Sequence, residues 1–187
     1  MGYLVRKFKE LENKNIINDA KNVDSIVADV LKEFQTCDHG DLSTWRIENL
    51  SDINDAILPI ALCVDKICEI NLIIIDENLL LKYHFTKENE SSGEDNIKIN
   101  KKMDSLHWNI KNVNIGNLKD CVALYWETMD NEGHTFSTYN KKIYDFQVAG
   151  IIIDAYKNKT ITKEQIKCLR SLRKSFPDLI AKAGIQL

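Results

Sequence analysis

Arginine is scarce in this 187-residue chain: of 25 basic residues only Arg6, Arg46, Arg170 and Arg173 are arginines, so few rigid forks exist for bidentate phosphate or carboxylate recognition. Neither sign of charge is in excess, since 28 acidic residues leave a net charge of -3, which argues against a dedicated nucleic-acid coat protein. The seven glycines, at 2, 40, 93, 116, 133, 150 and 184, form neither Gly-x-Gly-x-x-Gly nor Gly-x-x-x-x-Gly-Lys, so nucleotide binding finds no support. Cys37, Cys63, Cys68, Cys121 and Cys168 are odd in number and contain no Cys-x-x-Cys pair. With no charged-then-apolar leader at the start, they point to free thiols in a cytoplasmic protein. Wholly apolar runs, such as Val148 to Ile153, are far short of the roughly 20 residues of a spanning helix.

What is present is an ordinary apolar content of 44%, enough for a core without metal or disulfide staples. Tyr3 to Phe8 reads as an opening strand, Glu10 to Asn22 as a loop, and Val23 to Phe34 as a helix with Val23, Ile26, Val27, Val30, Leu31 and Phe34 on one stripe. Thr44 to Glu48 alternates as a short strand with Trp45 and Ile47 inward. Ser51 fits the N-cap of a helix to about Val64, with Pro59 predicting a kink or a later start.

Ile67 to Ile75 and Leu79 to Phe85 alternate as two strands of a hairpin, and Thr86 to Asn96 reads as a polar loop. Trp108 and Ile110 suggest a further strand. After Gly116 the pattern turns helical: Asn117 to Met129, with Leu118, Cys121, Val122 and Tyr125 facing in, then Asn140 to Asn158, whose apolar residues surround the whole circumference. That predicts a central core helix or, as the alternative, part of an oligomer or partner interface, with a close crossing at Gly150. Thr162 and Gln165 match a capping box for a helix to about Lys174, and Pro177 opens a last helix ended by Gly184. The expected fold is α+β: a small, mostly antiparallel sheet in the first two-thirds packed against helices, with a helical C-terminal third. Residues 1–187 would form a single domain, strand-rich over 1–116 and helical over 117–187.

The clearest candidate for binding is the face of the penultimate helix carrying Lys163, Lys167, Arg170 and Lys174, which fall within about 60° of one another at 100° per residue. Ile166, Leu169 and Leu172 point the other way. Such a stripe suits an acidic partner or phosphates, although an ordinary solvated helix face has the same composition. Cys37-Asp38-His39-Gly40-Asp41 gathers a thiol, an imidazole and two carboxylates, but neighbours so close in sequence seldom converge on one point. His84, His107 and His134 belong to no zinc spacing, and Ser137 and Thr138 lie in no Gly-x-Ser-x-Gly elbow. No catalytic residue, metal ligand or cofactor is therefore assigned.

The expected function is non-enzymatic: a cytoplasmic protein acting through protein–protein contacts or as a homo-oligomer, of the accessory, immunity or antitoxin-like kind found in bacterial and phage systems. The alternatives are a small metal-dependent hydrolase or nuclease, and a nucleic-acid-binding protein using the C-terminal basic helix. No membrane partner is expected.

Overall fold

The computed structural model of the chain describes residues 2–8, 40–64, 66–90, 99–129 and 140–185. Six strands build one sheet: β1 (Tyr3–Phe8), β2 (Leu42–Ile47), β3 (Ile70–Asp76), β4 (Thr86–Asn89), β5 (His107–Lys111) and β6 (Asn140–Ile143). Their order is β4-β5-β2-β1-β3-β6, and every neighbouring pair is antiparallel. Among the described residues the helices are α1 (Ile53–Cys63), α2 (Glu77–Lys82), α3 (Lys101–Asp104), α4 (Leu118–Met129), α5 (Asp145–Lys157), α6 (Lys163–Cys168), α7 (Arg170–Ser175) and α8 (Pro177–Lys182). This is the expected antiparallel α+β architecture, with helices concentrated toward the C-terminus. The loop reading of 10–22, the helix at 23–34, Cys37, Asp38, His39 and the segment holding His134 lie outside the described residues.

The sheet is covered on both faces, which explains why β3 is apolar on both sides. On one face Val5, Trp45, Ile47, Ile70, Leu72, Ile74 and Ile143 pack with α1, α5 and the C-terminal helices. On the other, Leu4, Leu42, Ile73, Ile75 and Ile110 meet Leu80 of α2 and Cys121, Val122, Leu124 and Tyr125 of α4. The helix predicted over Asn117 to Met129 is thus present and turns its expected residues inward.

Several expectations are corrected. Leu79 to Phe85 is not a strand. The Asp76 carboxylate accepts the Asn78 N–H at 2.8 Å and caps α2; the Glu-Asn-Leu-Leu-Leu-Lys that follows holds no β-branched residue and is rich in helix formers. Leu80 is buried while its neighbour Leu81 is 74% exposed. The strand lies further on, at Thr86–Asn89, inside the segment read as a loop.

Ser51 does not cap α1. The Asp52 carboxylate accepts the Asn49 N–H at 3.2 Å around a 3-10 turn at Leu50–Asp52, and α1 begins at Ile53. Pro59 sits inside α1, and Ala56 through Leu62 are all buried. The helix covered all round is therefore α1, not the segment from Asn140 to Asn158. That segment divides into edge strand β6 and helix α5, because Ile143 belongs to the sheet core and Tyr144 to the junction. Among the described residues a Cβ at Gly150 would meet nothing within 4 Å, so none of them makes a close helix crossing there.

The Thr162–Gln165 capping box does start α6, and Pro177 and Gly184 bound the last helix as read. However, the helix expected to continue to Lys174 breaks at Leu169 (φ -88°, ψ 71°), which separates α6 from α7.

Candidate functional sites

Alternation along β2 places Asp41, Ser43, Trp45 and Ile47 on one side of the sheet. Trp45 and Ile47 belong to the core, and the apolar run stops there. The antiparallel register sets Trp45 opposite His107 and Ser43 opposite Asn109 on β5. Ser43 Oγ lies 2.7 Å from His107 Nε2, and His107 Nδ1 lies 2.7 Å from the Glu90 carbonyl oxygen. A carbonyl only accepts, so Nδ1 carries a proton, and in the tautomer this fixes, Nε2 has a free lone pair. Nε2 is then the acceptor and the Ser43 hydroxyl donates to it. The ring is 9% exposed and held at 5.0 Å, centroid to centroid, against Trp45.

Charged groups continue the cluster toward the sheet edge. Asn109 Nδ2 donates to Glu90 Oε2 at 2.5 Å. Lys111 Nζ donates to Asp41 Oδ2 at 2.6 Å and Glu90 Oε1 at 2.5 Å, with Glu88 at 3.6 Å. The hydrogen bonds to Asp41 and Glu90 push the Lys111 ammonium up from its ordinary value, and the bond from Lys111 holds Glu90 down. Asp41, the one described carboxylate of the Cys37–Asp41 segment, is thus a salt-bridge partner of Lys111. The register between β1 and β2 ends at Val5 opposite Trp45, although β1 continues along β3 to Phe8. Beyond that point the Ser43 carbonyl takes its hydrogen bond from Arg6 Nη1 at 2.9 Å.

The opposite face of the same strands carries an ionic cluster centred on Glu77. Its carboxylate accepts Gly2 N–H at 3.1 Å, Arg46 Nε at 2.7 Å and Lys87 Nζ. Burial alone would raise the Glu77 pKa, but the hydrogen bonds from Arg46 and Lys87 outweigh it and hold it below the usual range. Arg46 also pairs with Glu48, and Arg46 and Lys87 lie 5.7 and 4.9 Å from the Trp108 ring centroid. The charges cancel locally, so this cluster ties strands together and offers no anion site.

The basic residues singled out from the sequence are distributed by the break at Leu169. Lys163 is half-buried at the start of α6; Lys167, Arg170 and Lys174 are exposed. Arg173, which the uninterrupted projection left out, is also exposed and donates to the Lys167 carbonyl at 3.4 Å. Lys167 lies 3.8 Å from Glu164. Ile166, Leu169 and Leu172 are buried, as the spacing required.

The sequence offers Tyr144 as one of several aromatics that could anchor an interface, and the structure pairs it with Phe146. Tyr144 and Phe146 are 46% and 58% exposed, with their rings 6.0 Å apart and inclined by 11°. Lys142 sits 5.6 Å over Tyr144 and pairs with Glu69 at 2.6 Å. Alternation into β6 and the strand–helix junction would have placed these rings outside the core, but the helical reading put them inside. His84 is exposed at φ +59° and joins no cluster among the described residues. No group of three or more His, Cys, Asp or Glu among those residues is placed to hold a metal, and no described helix is long and apolar enough to cross a membrane. Compared with known protein families, curated proteins and solved structures, the chain matches none.

Proposed function

We propose that the chain works by docking onto another protein, as an accessory, immunity or antitoxin-like subunit of a cytoplasmic bacterial or phage system. The observation that carries this is the stacked Tyr144–Phe146 pair, held in solvent at the start of α5. Burying a large aromatic side chain contributes about 1.5–3 kcal/mol, and such residues dominate interface energetics. Nothing in the fold requires two rings to face water there.

The partner this surface suits is an acidic protein segment that presents an apolar side chain. Lys142 sits over the Tyr144 ring and pairs with Glu69, Lys141 precedes it on β6, and Lys167, Arg170, Arg173 and Lys174 are further exposed cations, on α6 and α7. A second copy of this chain is a poorer occupant, because β6 against β6 would set lysines against lysines. Cys68, Cys121 and Cys168 are unbridged thiols, which suits a reducing compartment.

A random-peptide display selection on the full chain tests the reading. The expected peptides combine carboxylates with an aromatic or aliphatic anchor. They should bind Phe146→Ala at least tenfold more weakly, a loss of about 1.4 kcal/mol, and Arg170→Glu/Lys174→Glu more weakly at low salt. Peptides that bind Phe146→Ala as well as wild type, or no enrichment at all, overturn the proposal. A DNA duplex bound with steep salt dependence and lost on Arg170→Glu/Lys174→Glu would replace it with nucleic-acid binding. Self-association abolished by Phe146→Ala would assign the face to a second copy.

A further inference from the structure

We propose that Ser43 is a nucleophile toward activated acyl groups, with His107 as its general base. This goes beyond the docking reading and does not rest on it. Three observations meet at Ser43. Its hydroxyl donates to His107 Nε2 at 2.7 Å, so the atom that would attack is already bonded to the atom that would take its proton. The Glu90 carbonyl holds the other ring nitrogen at 2.7 Å and fixes the tautomer that leaves Nε2 basic, the task a carboxylate performs in serine hydrolases. Finally, Ser43 is partly exposed while His107 is buried against Trp45, which leaves the nucleophile reachable and the base fixed.

Two side chains that carry hydrogen-bond donors neighbour Ser43 along β5. Asn109 is directly opposite Ser43 across the ladder, where Cβ atoms lie about 4.5–5.5 Å apart. One of its two amide hydrogens goes to Glu90. Lys111, two residues along on the same face, directs its ammonium at Asp41 and Glu90, with Glu88 at 3.6 Å. Ser43 lies beyond the last paired position of β1 and β2, Val5 with Trp45.

With a small carboxylic ester, Ser43 Oγ bonds to the carbonyl carbon as its proton passes to His107 Nε2. The carbon–alkoxy bond then breaks and the imidazolium returns the proton to the leaving alcohol. A water, deprotonated by Nε2, attacks the acyl-serine, releases the carboxylic acid and restores the hydroxyl. No oxidant, reductant or further reactant enters.

The full chain is incubated with a biotinylated fluorophosphonate, on which the Ser43 oxygen displaces fluoride, and the labelled peptide is identified by mass spectrometry. The expected result is one adduct, on Ser43. His107→Asn should slow its formation about 100-fold or more, and p-nitrophenyl acetate should give a burst of one equivalent per chain. Circular dichroism establishes that each variant is folded. Should His107→Asn fail to fold, Asn109→Ala keeps the Ser43–His107 pair, and its labelling should slow about tenfold or more. Folded wild type left unmodified at Ser43, or a folded variant labelled at the wild-type rate, overturns the proposal, because a serine that merely satisfies a buried imidazole has no such reactivity.

Discussion

Replacing Glu77 by Gln should destabilise the fold while leaving its shape intact. The carboxylate joins three pieces of chain that are remote in sequence: the Gly2 amide, Arg46 on β2 and Lys87 on β4. Its side chain is 13% exposed and those of Arg46 and Lys87 are 23% and 26% exposed, so the interactions are screened only in part. Gln retains one acceptor but turns an N–H₂ toward a cation. Arg46 keeps Glu48, whereas Lys87 keeps among the described residues only its approach to Trp108. A hydrogen bond to a charged group is worth about 1.5–3 kcal/mol, and breaking a well-buried pair costs about 3–5 kcal/mol. For this half-buried cluster a loss of about 2–4 kcal/mol follows, or roughly 5–12 °C in Tm for a chain of this length. The pH dependence has a definite sign. A carboxyl held below its ordinary value when folded contributes stability that is complete above about pH 4.5 and is lost as pH falls through the folded value. Urea titrations followed by tryptophan fluorescence should therefore show wild type losing stability below that pH and Glu77→Gln losing less. A loss under about 0.5 kcal/mol with an unchanged acid limb would refute the assignment of Glu77 as the tie.

Gly40→Ala should destabilise by more than about 1 kcal/mol, read as a shift of the urea midpoint. Gly40 has φ +77°, and an added Cβ would stand 2.7 Å from the Val113 carbonyl oxygen, a backbone atom that cannot swing away; an unchanged midpoint would contradict this. Cys121 and Cys168 should separate cleanly in a thiol titration with Ellman's reagent. Burial, with a smaller contribution from Asp120, pushes the Cys121 thiol up to about 12, while Cys168 is exposed. Cys168 should react at once and Cys121 at the rate of unfolding; equal rates in the native protein would count against the packing of α4.

The parts of the fold that were legible in the sequence are those where one local signal acts alone. Tyr3–Phe8 alternates, Thr162 and Gln165 form their capping box, and Leu118, Cys121, Val122 and Tyr125 repeat at helical spacing on α4. The failures occur where two signals overlap. Leu79–Leu80–Leu81 fits a strand face or a single helical turn, and a six-residue helix is too short for its period to decide. The cap at Asp76 decides it, together with side chains that lose little freedom in a helix. Between Asn140 and Asn158, a strand residue and two exposed rings were summed onto a helical projection, and the sum looked like a fully buried helix. The break at Leu169 had no such excuse in pattern: Ile166, Leu169 and Leu172 all face inward as the period demands, and no proline or glycine marks the change.

The Ser43–His107 cluster was illegible for a deeper reason. Sequence motifs report residues that are close along the chain, whereas these two are 64 positions apart and meet only because β5 pairs with β2, out of chain order. Alternation placed Trp45 and Ile47 inward, but could not say that the next residue on that face, Ser43, would meet an imidazole. Cross-strand chemistry of this kind depends on strand order, and strand order depends on which faces other elements cover. Here both faces of the central strands are used up by α1 and α5 on one side and α2 and α4 on the other. The sheet can turn polar only where that coverage gives out. Among the described residues this happens along β2 between Trp45 and Ser43, beside the end of the β1 register. An apolar continuation there would have extended the core at little cost. Instead the chain places a hydroxyl, an imidazole, an amide, an ammonium and three carboxylates along β2, β4 and β5 and the residues that flank them, and pairs each of them. Replacing such a network by apolar groups is often neutral or stabilising, so stability alone does not account for it.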